Sequence, residues 1–336
     1  MMNRETVLLV TIMRNEGPYI LEWVAHHLSV GVDEFLIFTN DCDDGTDAIL
    51  SRLGRFHRVT QVPNPKVMFR DKGNWQVMAL RYAQQFGDYR TADWIYHTDA
   101  DEFLHIRAGD GTLEDFYKAA ADKSGDFHAV SFSSMPFSSG GEKALDDQLV
   151  QSRYTQMSKS YGASREAGTP VLNAVKTMFR NDVDYDLRRN HRPYMAGFSA
   201  QGLTWVDGSG RRLGPDYTDS RIKVLDAVGS TDLAQMSHYA IKCAEAYMVM
   251  LDRGDAVTED RLGKQSNYWK NYNTQGDEEP AFATLSPKAQ ALLDGFLADP
   301  ELARLHREAL EVHKAKVAAM REKPEWQAVA SHIGLE

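Results

Sequence analysis

The sequence predicts an α/β protein in which helices flank a mostly parallel sheet. Over the first 135 residues, short apolar runs alternate with helical patterns, and each of three polar turns directly follows one of these runs. From about residue 127 the runs become shorter, which indicates antiparallel strands in an added lobe. Because crossovers between parallel strands are right-handed, the first part should form one sheet with helices on both faces.

The first predicted strand covers residues 7–12, where continuous Val, Leu and Ile favour burial on both faces. A polar turn at 14–17 follows, and Pro18 suits the first turn of a helix that ends at Gly31. Further strands are predicted at residues 34–39, 59–62 and 94–97, and further helices at 46–53 and 72–86. Thr46 is the predicted N-cap of its helix.

The second half of the chain contains apolar runs at 129–132 and 175–179 with Gly, Ser and Asp between them. Helices are predicted beyond Ser237, and the segment from Ser286 to residue 322 is amphipathic. These changes divide the chain into an α/β half at 1–135, a second part of the same domain at 136–275 and a helical extension at 276–336.

Composition excludes several classes of protein. The 336 residues include 38 Lys and Arg against 48 Asp and Glu, and the net charge of −10 disfavours nucleic acid as a partner. Two distant cysteines, Cys42 and Cys243, argue against a disulfide framework or a zinc ribbon. Because the apolar run at 7–13 is too short for a signal core or a spanning helix, we expect a cytoplasmic protein.

Chemistry-bearing residues cluster in the three polar turns at 14–17, 40–45 and 99–102. Each turn follows a predicted strand, and the carboxyl ends of parallel strands meet at one edge of the sheet. The last turn holds three carboxylates in Asp99-Ala100-Asp101-Glu102, and a divalent cation such as Mn²⁺ or Mg²⁺ would relieve their mutual repulsion. The alternative is an acidic loop that is fully solvated.

The second turn, residues 40–46 (NDCDDGT), has two interpretations. Its Asp and Gly content is typical of a turn with a helix cap. Alternatively, a carboxylate such as Asp43 accepts hydrogen bonds from a ribose or nucleobase, as acidic residues after strands do in nucleotide-binding folds. Thr11, Asn15 and Glu16 line the adjacent turn.

Three segments resemble the signature segments of family 2-like glycosyltransferases with the GT-A fold. They are residues 11–22 (TIMRNEGPYILE), 40–46 (NDCDDGT) and 94–104 (WIYHTDADEFL). Residues 176–180 (KTMFR), 191–193 (HRP) and 237–245 (SHYAIKCAE) are similar to a bacterial branch with a DADEF motif. The likeness covers residues 5 to about 275, and no family counterpart is evident past Pro280.

The resemblance implies a GT-A type, Rossmann-like sheet and metal-dependent sugar transfer in surface polysaccharide or glycoconjugate synthesis. The donor would be a nucleotide-diphospho-sugar of the UDP type, the acceptor a saccharide or a lipid-linked molecule, and the transfer inverting. Asp101 and His238 would hold Mn²⁺ or Mg²⁺, with Asp99 as a further candidate ligand. The implied donor-binding residues are Thr11, Asn15, Glu16, Asp43, Lys72, Asp99 and Lys242.

Other roles stay open at this stage. Inversion requires a carboxylate base, for which Glu245 and Asp255 are candidates. The candidate acceptor contacts are Ser139, Gly140, Lys176, Arg180 and His191. The same fold would also serve a sugar nucleotidyltransferase or a non-catalytic carbohydrate-binding scaffold. The C-terminal helices could mediate dimerisation or peripheral contact with the inner membrane face.

Overall fold

The computed structural model describes residues 5–65, 75–159, 174–220, 227–253 and 266–335. In these parts of the chain a nine-stranded sheet has the order β3-β2-β1-β4-β8-β6-β10-β5, with β9 beside β6, and a small second sheet pairs β7 with β11. The strands are β1 (Val7–Met13), β2 (Glu34–Thr39), β3 (Val59–Pro63), β4 (Trp94–His97), β5 (Glu102–Ile106), β6 (Ala129–Pro136), β7 (Gln156–Ser158), β8 (Val175–Arg180), β9 (Trp205–Asp207), β10 (Ala234–His238) and β11 (Gln275–Glu278).

Helices cover both faces of the main sheet. They are α1 (Ile20–Val30), α2 (Thr46–Leu53), α3 (Trp75–Ala83), α4 (Gly87–Thr91), α5 (Leu113–Ser124), α6 (Val150–Arg153), α7 (Pro215–Thr218), α8 (Ala244–Arg253), α9 (Ser266–Tyr272), α10 (Pro287–Ala298), α11 (Pro300–Arg321) and α12 (Pro324–His332). The predicted class, a mostly parallel sheet flanked by helices, is confirmed. No helix among the described residues is long and apolar enough to cross a membrane.

The predicted elements of the first half form with small differences. Strands β1 to β4 pair in parallel, and α1 ends at Gly31, whose φ of 113° is the left-handed conformation that glycine favours. Thr46 was predicted as an N-cap, but it is the first residue of α2, and Gly45 occupies the cap position with φ 88°. Residues 72–74 of the third predicted helix lie outside the described residues, and α3 begins at Trp75.

Strand direction determines which residues share an edge of the sheet. Strand β8 is antiparallel to both β4 and β6, and β10 is parallel to β6, so β1, β4, β6 and β10 all run in one direction. Their carboxyl ends therefore meet at one edge. Strands β5 and β8 run the opposite way, which places their first residues at that same edge. We call it the carboxyl edge.

The C-terminal helices share the main hydrophobic core. Helix α10 packs against α1, and α11 packs against α2 and α8. Leu302, Leu305 and Leu310 of α11 belong to the same buried cluster as Leu9 of β1 and Trp23 of α1. The division into three parts stays a prediction, but the last of them is packed onto the sheet-bearing part through apolar side chains.

Candidate active site

The loops after β1 and β2 are joined side chain to side chain at the carboxyl edge. Asn15 adopts a φ of 54°, its Nδ2 donates to Asp43 Oδ1 at 2.7 Å, and its Oδ1 accepts from the Asp43 backbone N at 2.9 Å. Asp44 Oδ2 accepts from the Gly17 backbone N at 2.9 Å. Both loops predicted to bind a nucleotide are thus held in contact before any ligand arrives.

Arg253, the last residue of α8, also holds the loop after β1 in place, through hydrogen bonds and an ion pair. Its Nη1 donates to the carbonyl oxygens of Arg14 at 2.6 Å and Asn15 at 3.1 Å, and it forms an ion pair with Glu16. Glu16 is buried, and within the described residues its Oε2 has no hydrogen-bond partner. A buried carboxylate oxygen of this kind is available to a ligand.

The acidic turn after β4 is neutralised in part by a lysine. Lys176, the second residue of β8, is fully buried, and its Nζ lies 2.6 Å from Asp99 Oδ2 and 3.2 Å from Glu102 Oε2. Burial alone would lower the pKa of Lys176, but the two carboxylates raise it above its ordinary value. Asp99 Oδ1 also accepts from Gln76 Nε2 at 3.0 Å. Lys176 therefore holds Asp99 in place within the turn.

Asp101 faces a histidine instead. The Nε2 atom of His238, at the end of β10, lies 3.6 Å from Asp101 Oδ2, and the two side chains are 15% and 19% exposed. Burial raises the pKa of Asp101, but His238, Lys242 and Arg253 together lower it below its ordinary value. Burial lowers the pKa of His238, but the Asp101 carboxylate outweighs burial and raises this pKa above its ordinary value. The sheet thus brings together two of the residues expected to bind a metal.

A small cavity lies between the loop after β1 and helix α8. Its charged and polar lining consists of Asn15, Glu16, Tyr19, Lys242, Arg253 and His313. Lys242 has a φ of 51° and its ammonium group lies 4.5 Å from the ring centroid of Tyr19. Lys242 and Arg253 make the cavity suited to an anion.

The predicted acceptor loop starts beside His238. The Phe137 backbone N donates to the His238 carbonyl oxygen at 2.9 Å, so residues 138–141 emerge next to the end of β10. Ser139 is buried and its Oγ donates to Asn273 Oδ1 at 2.7 Å. Gly140 is exposed with φ 61°. Two tyrosines that the sequence did not single out also lie here.

The two tyrosines are Tyr272 and Tyr268. The Tyr272 ring packs edge-on against His238 with the ring centroids 5.6 Å apart, and the centroids of the Tyr268 and Tyr272 rings are 4.5 Å apart. Helix α9, which bears them, ends one residue before Asn273, the partner of Ser139. The signal available in the sequence was the tyrosine spacing of four residues, which places both rings on one helix face.

Other predicted site residues are placed differently. Thr11 is buried within β1, and within the described residues its Oγ1 has no partner. His191 is exposed, and its Nδ1 lies 3.2 Å from the Val175 carbonyl oxygen, next to Lys176. Arg180 is a correction: as the last residue of β8 it lies at the opposite edge of the sheet, paired with Glu5 and Asp182.

Of the two candidate bases, only Glu245 lies among the described residues. Glu245 is engaged at both oxygens, accepting from the Leu145 backbone N at 2.7 Å and from Arg321 Nη2 at 2.9 Å. These partners favour a role in holding α8 to α11 and to the loop that contains Leu145. Asp255, and Lys72 among the donor-binding candidates, lie outside the described residues.

The residues at the carboxyl edge fit a divalent ion with two protein ligands. Within the described ranges, no group of three or more His, Cys, Asp or Glu side chains could hold a metal ion. Mg²⁺ commonly takes only one or two carboxylates from the protein and completes its shell with water and substrate phosphates. Asp101 Oδ2 and His238 Nε2, 3.6 Å apart, match such a site, since ligands at about 2.1 Å from one ion lie roughly 3 to 4 Å from each other.

Comparison with solved structures gives only low similarity. A glucosyl-3-phosphoglycerate synthase of M. tuberculosis matches with 14% identity and a TM-score of 0.32, covering 68% of this chain and 76% of that one. S. aureus TarS 1-349 in complex with UDP matches with 12% identity and a TM-score of 0.33, covering 94% of this chain and 91% of that one.

Sequence comparison is more specific. Glycosyltransferase family 92 proteins of Oryza sativa and Ricinus communis are 29% identical over 111 residues and 27% identical over 149 residues, which are 33% and 44% of this chain. One from Arabidopsis thaliana is 19% identical over 257 residues, or 74% of the chain. The chain covers only 18%, 25% and 34% of the lengths of these three curated relatives.

The family model for glycosyltransferase family 92 matches residues 11–192. This stretch contains the loops after β1 and β2, the acidic turn at 99–102 and Lys176, and it is more than half of the 336 residues. Family 92 is distinct from the family 2-like group that the three motifs resemble. The chain belongs to glycosyltransferase family 92.

Proposed function

We propose that this protein is a metal-dependent glycosyltransferase that moves a sugar from a nucleotide-diphospho-sugar, of the UDP type, to a saccharide or lipid-linked acceptor. The observation that carries the proposal is the Asp101–His238 pair, 3.6 Å apart at the carboxyl edge, next to a cavity lined by Lys242 and Arg253. A carboxylate and an imidazole beside two cations suit a metal-bound diphosphate. Membership of family 92 supports the same reaction class.

The roles follow from charge and position. Lys242 and Arg253 would bind the diphosphate, whose negative charge increases as the sugar–oxygen bond breaks. Asn15 and Glu16 would bind the nucleoside end, because they line the same cavity on the side of the loop after β1. Asp99, fixed by Lys176, would accept a hydrogen bond from the ribose or the sugar. The Ser139–Gly140 loop beside His238 would meet the acceptor.

The metal would be held by Asp101 and His238. When bound, Mn²⁺ or Mg²⁺ supplies Lewis-acid stabilisation of the diphosphate leaving group. An inverting transfer also needs a carboxylate that takes the proton of the acceptor hydroxyl. Glu245 is paired with Arg321, so Asp255 would be the base of the two candidates. The acceptor product would belong to glycoconjugate or surface polysaccharide synthesis.

A thermal unfolding assay tests the proposal. We expect UDP, or another nucleoside diphosphate in a panel, to stabilise the protein only when Mn²⁺ is present, by about 2.7 kcal/mol at a hundredfold excess over Kd. Asp101→Asn should abolish this metal-dependent part, because it removes a charged ligand at nearly constant volume. Asp294→Asn, at an exposed position of α10, is the matched control and should behave as wild type.

Activity measurements complete the test. Released nucleoside diphosphate, measured with a panel of sugar nucleotides, should appear with wild type and Asp294→Asn and be lost with Asp101→Asn. Full turnover in the Asp101→Asn variant would refute the assigned role. Pyrophosphate release from a nucleoside triphosphate and a sugar phosphate would instead indicate a nucleotidyltransferase.

A further inference from the structure

Helix α11 reaches the loop after β2 in the candidate donor site. It begins at Pro300, more than a hundred residues beyond the end of the family 92 match at residue 192. From this helix, His313 Nε2 lies 2.8 Å from Asp44 Oδ2, and Lys316 Nζ lies 2.5 Å from Asp43 Oδ1. His313 also lines the cavity that contains Lys242.

Asp44 connects the two loops, and His313 completes its hydrogen bonding. The Asp44 carboxylate accepts from the Gly17 backbone N at 2.9 Å, and from the Thr46 backbone N at 3.0 Å and Oγ1 at 2.6 Å. The Asp44 and His313 side chains are 0% and 2% exposed. Burial raises the pKa of Asp44, but the hydrogen bonds from His313 and Thr46 lower it to about 2. The carboxylate is therefore ionised at neutral pH and needs its donors.

Lys316 forms an ion pair with Asp43, the residue before Asp44. Asp43 exchanges two hydrogen bonds with Asn15, and the Lys316 ammonium group contacts the same Oδ1 atom that Asn15 uses. Lys316 is 19% exposed and Asp43 64% exposed, so this ion pair lies at the rim of the site.

We propose that His313 and Lys316 are positioning residues for the donor: they hold Asp44 and Asp43 so that the loops after β1 and β2 keep the shape that binds the nucleoside end. This inference rests on the proposed function. Its physical basis is preorganisation, because a loop that is already held pays no ordering cost when the ligand binds. Helix α11 thereby forms part of the donor site.

The Lys316 variants give the cleaner test, since this side chain lies at the surface. We expect Lys316→Ala to weaken binding of UDP with Mn²⁺, measured by calorimetry, about fivefold, the upper range for a partly exposed ion pair. Lys316→Arg should restore the affinity, because it keeps the charge. Lys314→Ala is the matched control: Lys314 is on the same helix and pairs only with Glu311 in the part of the chain described here. It should bind as wild type.

The His313 variants test the buried contact in the same way. His313→Gln keeps an N–H donor and should retain the affinity for UDP. His313→Leu leaves Asp44 without this donor and should bind UDP about tenfold more weakly. The control is His306→Leu, since His306 lies on the same helix but pairs at 2.6 Å with Asp147, which is 60% exposed and outside the two loops. Thermal unfolding without ligand identifies any variant that fails to fold.

The outcomes separate this inference from the proposed function. If wild type binds UDP with Mn²⁺ and the Lys316→Ala and His313→Leu variants bind equally well, the positioning role is wrong and the proposed function stands. Equal weakening by the Lys314→Ala and His306→Leu controls would also contradict it, because it would indicate a general effect of α11. If wild type binds no nucleoside diphosphate, the proposed function fails and this inference fails with it.

Discussion

The carboxylates of the turn at 99–102 differ in their partners, and these partners decide what each can do. Lys176 is buried against Asp99 and Glu102, whereas Asp101 faces His238. The sequence indicated that the cluster needs a neutralising charge, and we expected a divalent ion to relieve the repulsion between the carboxylates. The structure assigns part of it to Lys176, which had been a candidate acceptor contact.

At the level of single residues, Lys176→Met should destabilise the fold. It would leave the buried Glu102, and Asp99 with its side chain 34% exposed, without their cation, and removing one partner of a buried ion pair costs about 3 to 5 kcal/mol. Urea unfolding at pH 7 measures this loss, and Lys270→Met at an exposed position of α9 is the control. A change below about 1 kcal/mol would show that water reaches the two carboxylates.

Buried histidines predict a pH dependence of stability. Burial lowers the pKa of His26 to about 4, and its Nε2 donates to the Leu104 carbonyl oxygen at 2.7 Å. Below its ordinary pKa of 6.5 the unfolded chain binds a proton that the folded chain excludes, so stability falls from pH 6.5 to pH 4, by about 3 kcal/mol for this residue.

His26→Gln keeps the donor and removes the titration, so denaturant unfolding between pH 7.5 and 4 should show a shallower loss than in wild type. A parallel profile for His26→Gln and wild type would mean that other groups dominate the acid sensitivity.

At the scale of elements, strands β5 and β10 were missed although they frame the site. They pair with each other, with Met236 opposite Leu104 and His238 opposite Glu102. Each has only five residues, and the alternation in β10 (AQMSH) rests on two apolar residues, Ala234 and Met236, which is too short a signal to identify a strand. Pairing between distant segments, not local preference, makes them strands.

Packing between a loop and a helix gives the element-scale prediction. A Cβ atom added to Gly17 would lie 2.6 Å from the Cβ of Ala309 in α11. Gly17→Ala should therefore push the helix from the loop and cost about 1 to 3 kcal/mol in thermal unfolding. Adding Ala309→Gly should recover part of this loss, which a double-mutant cycle measures. Gly87→Ala, where nothing lies within 4 Å, should be neutral.

At the scale of the molecule, the C-terminal helices and the sheet share one core. Leu302 of α11 is 1% exposed and belongs to the cluster that includes Leu9 of β1 and Phe103 of β5. The segment predicted as an extension is therefore expected to unfold together with the sheet. This continuity is also what allows α11 to hold loops from the beginning of the chain.

Leu302→Ala should lower the free energy of unfolding by about 2 to 5 kcal/mol and shift a single transition. Calorimetry combined with far-UV circular dichroism would detect this as one coincident loss of structure. Leu297→Ala, at a side chain 42% exposed on α10, is the control and should cost well under 1 kcal/mol. A separate early transition in Leu302→Ala would mean that the helices unfold independently.

The sequence alone determined the alternating elements of the first half and the three polar turns, since apolar period and turn residues act over a few neighbouring positions. It also placed Asp101 and His238 among the metal candidates through family resemblance. Only the tertiary structure decided that Lys176 neutralises Asp99 and that Arg180 lies at the far edge, because strand direction in β8 is set by its partners. The contacts of His313 and Lys316 depend equally on packing, which brings together residues about 270 positions apart (269 and 273) that no local pattern relates.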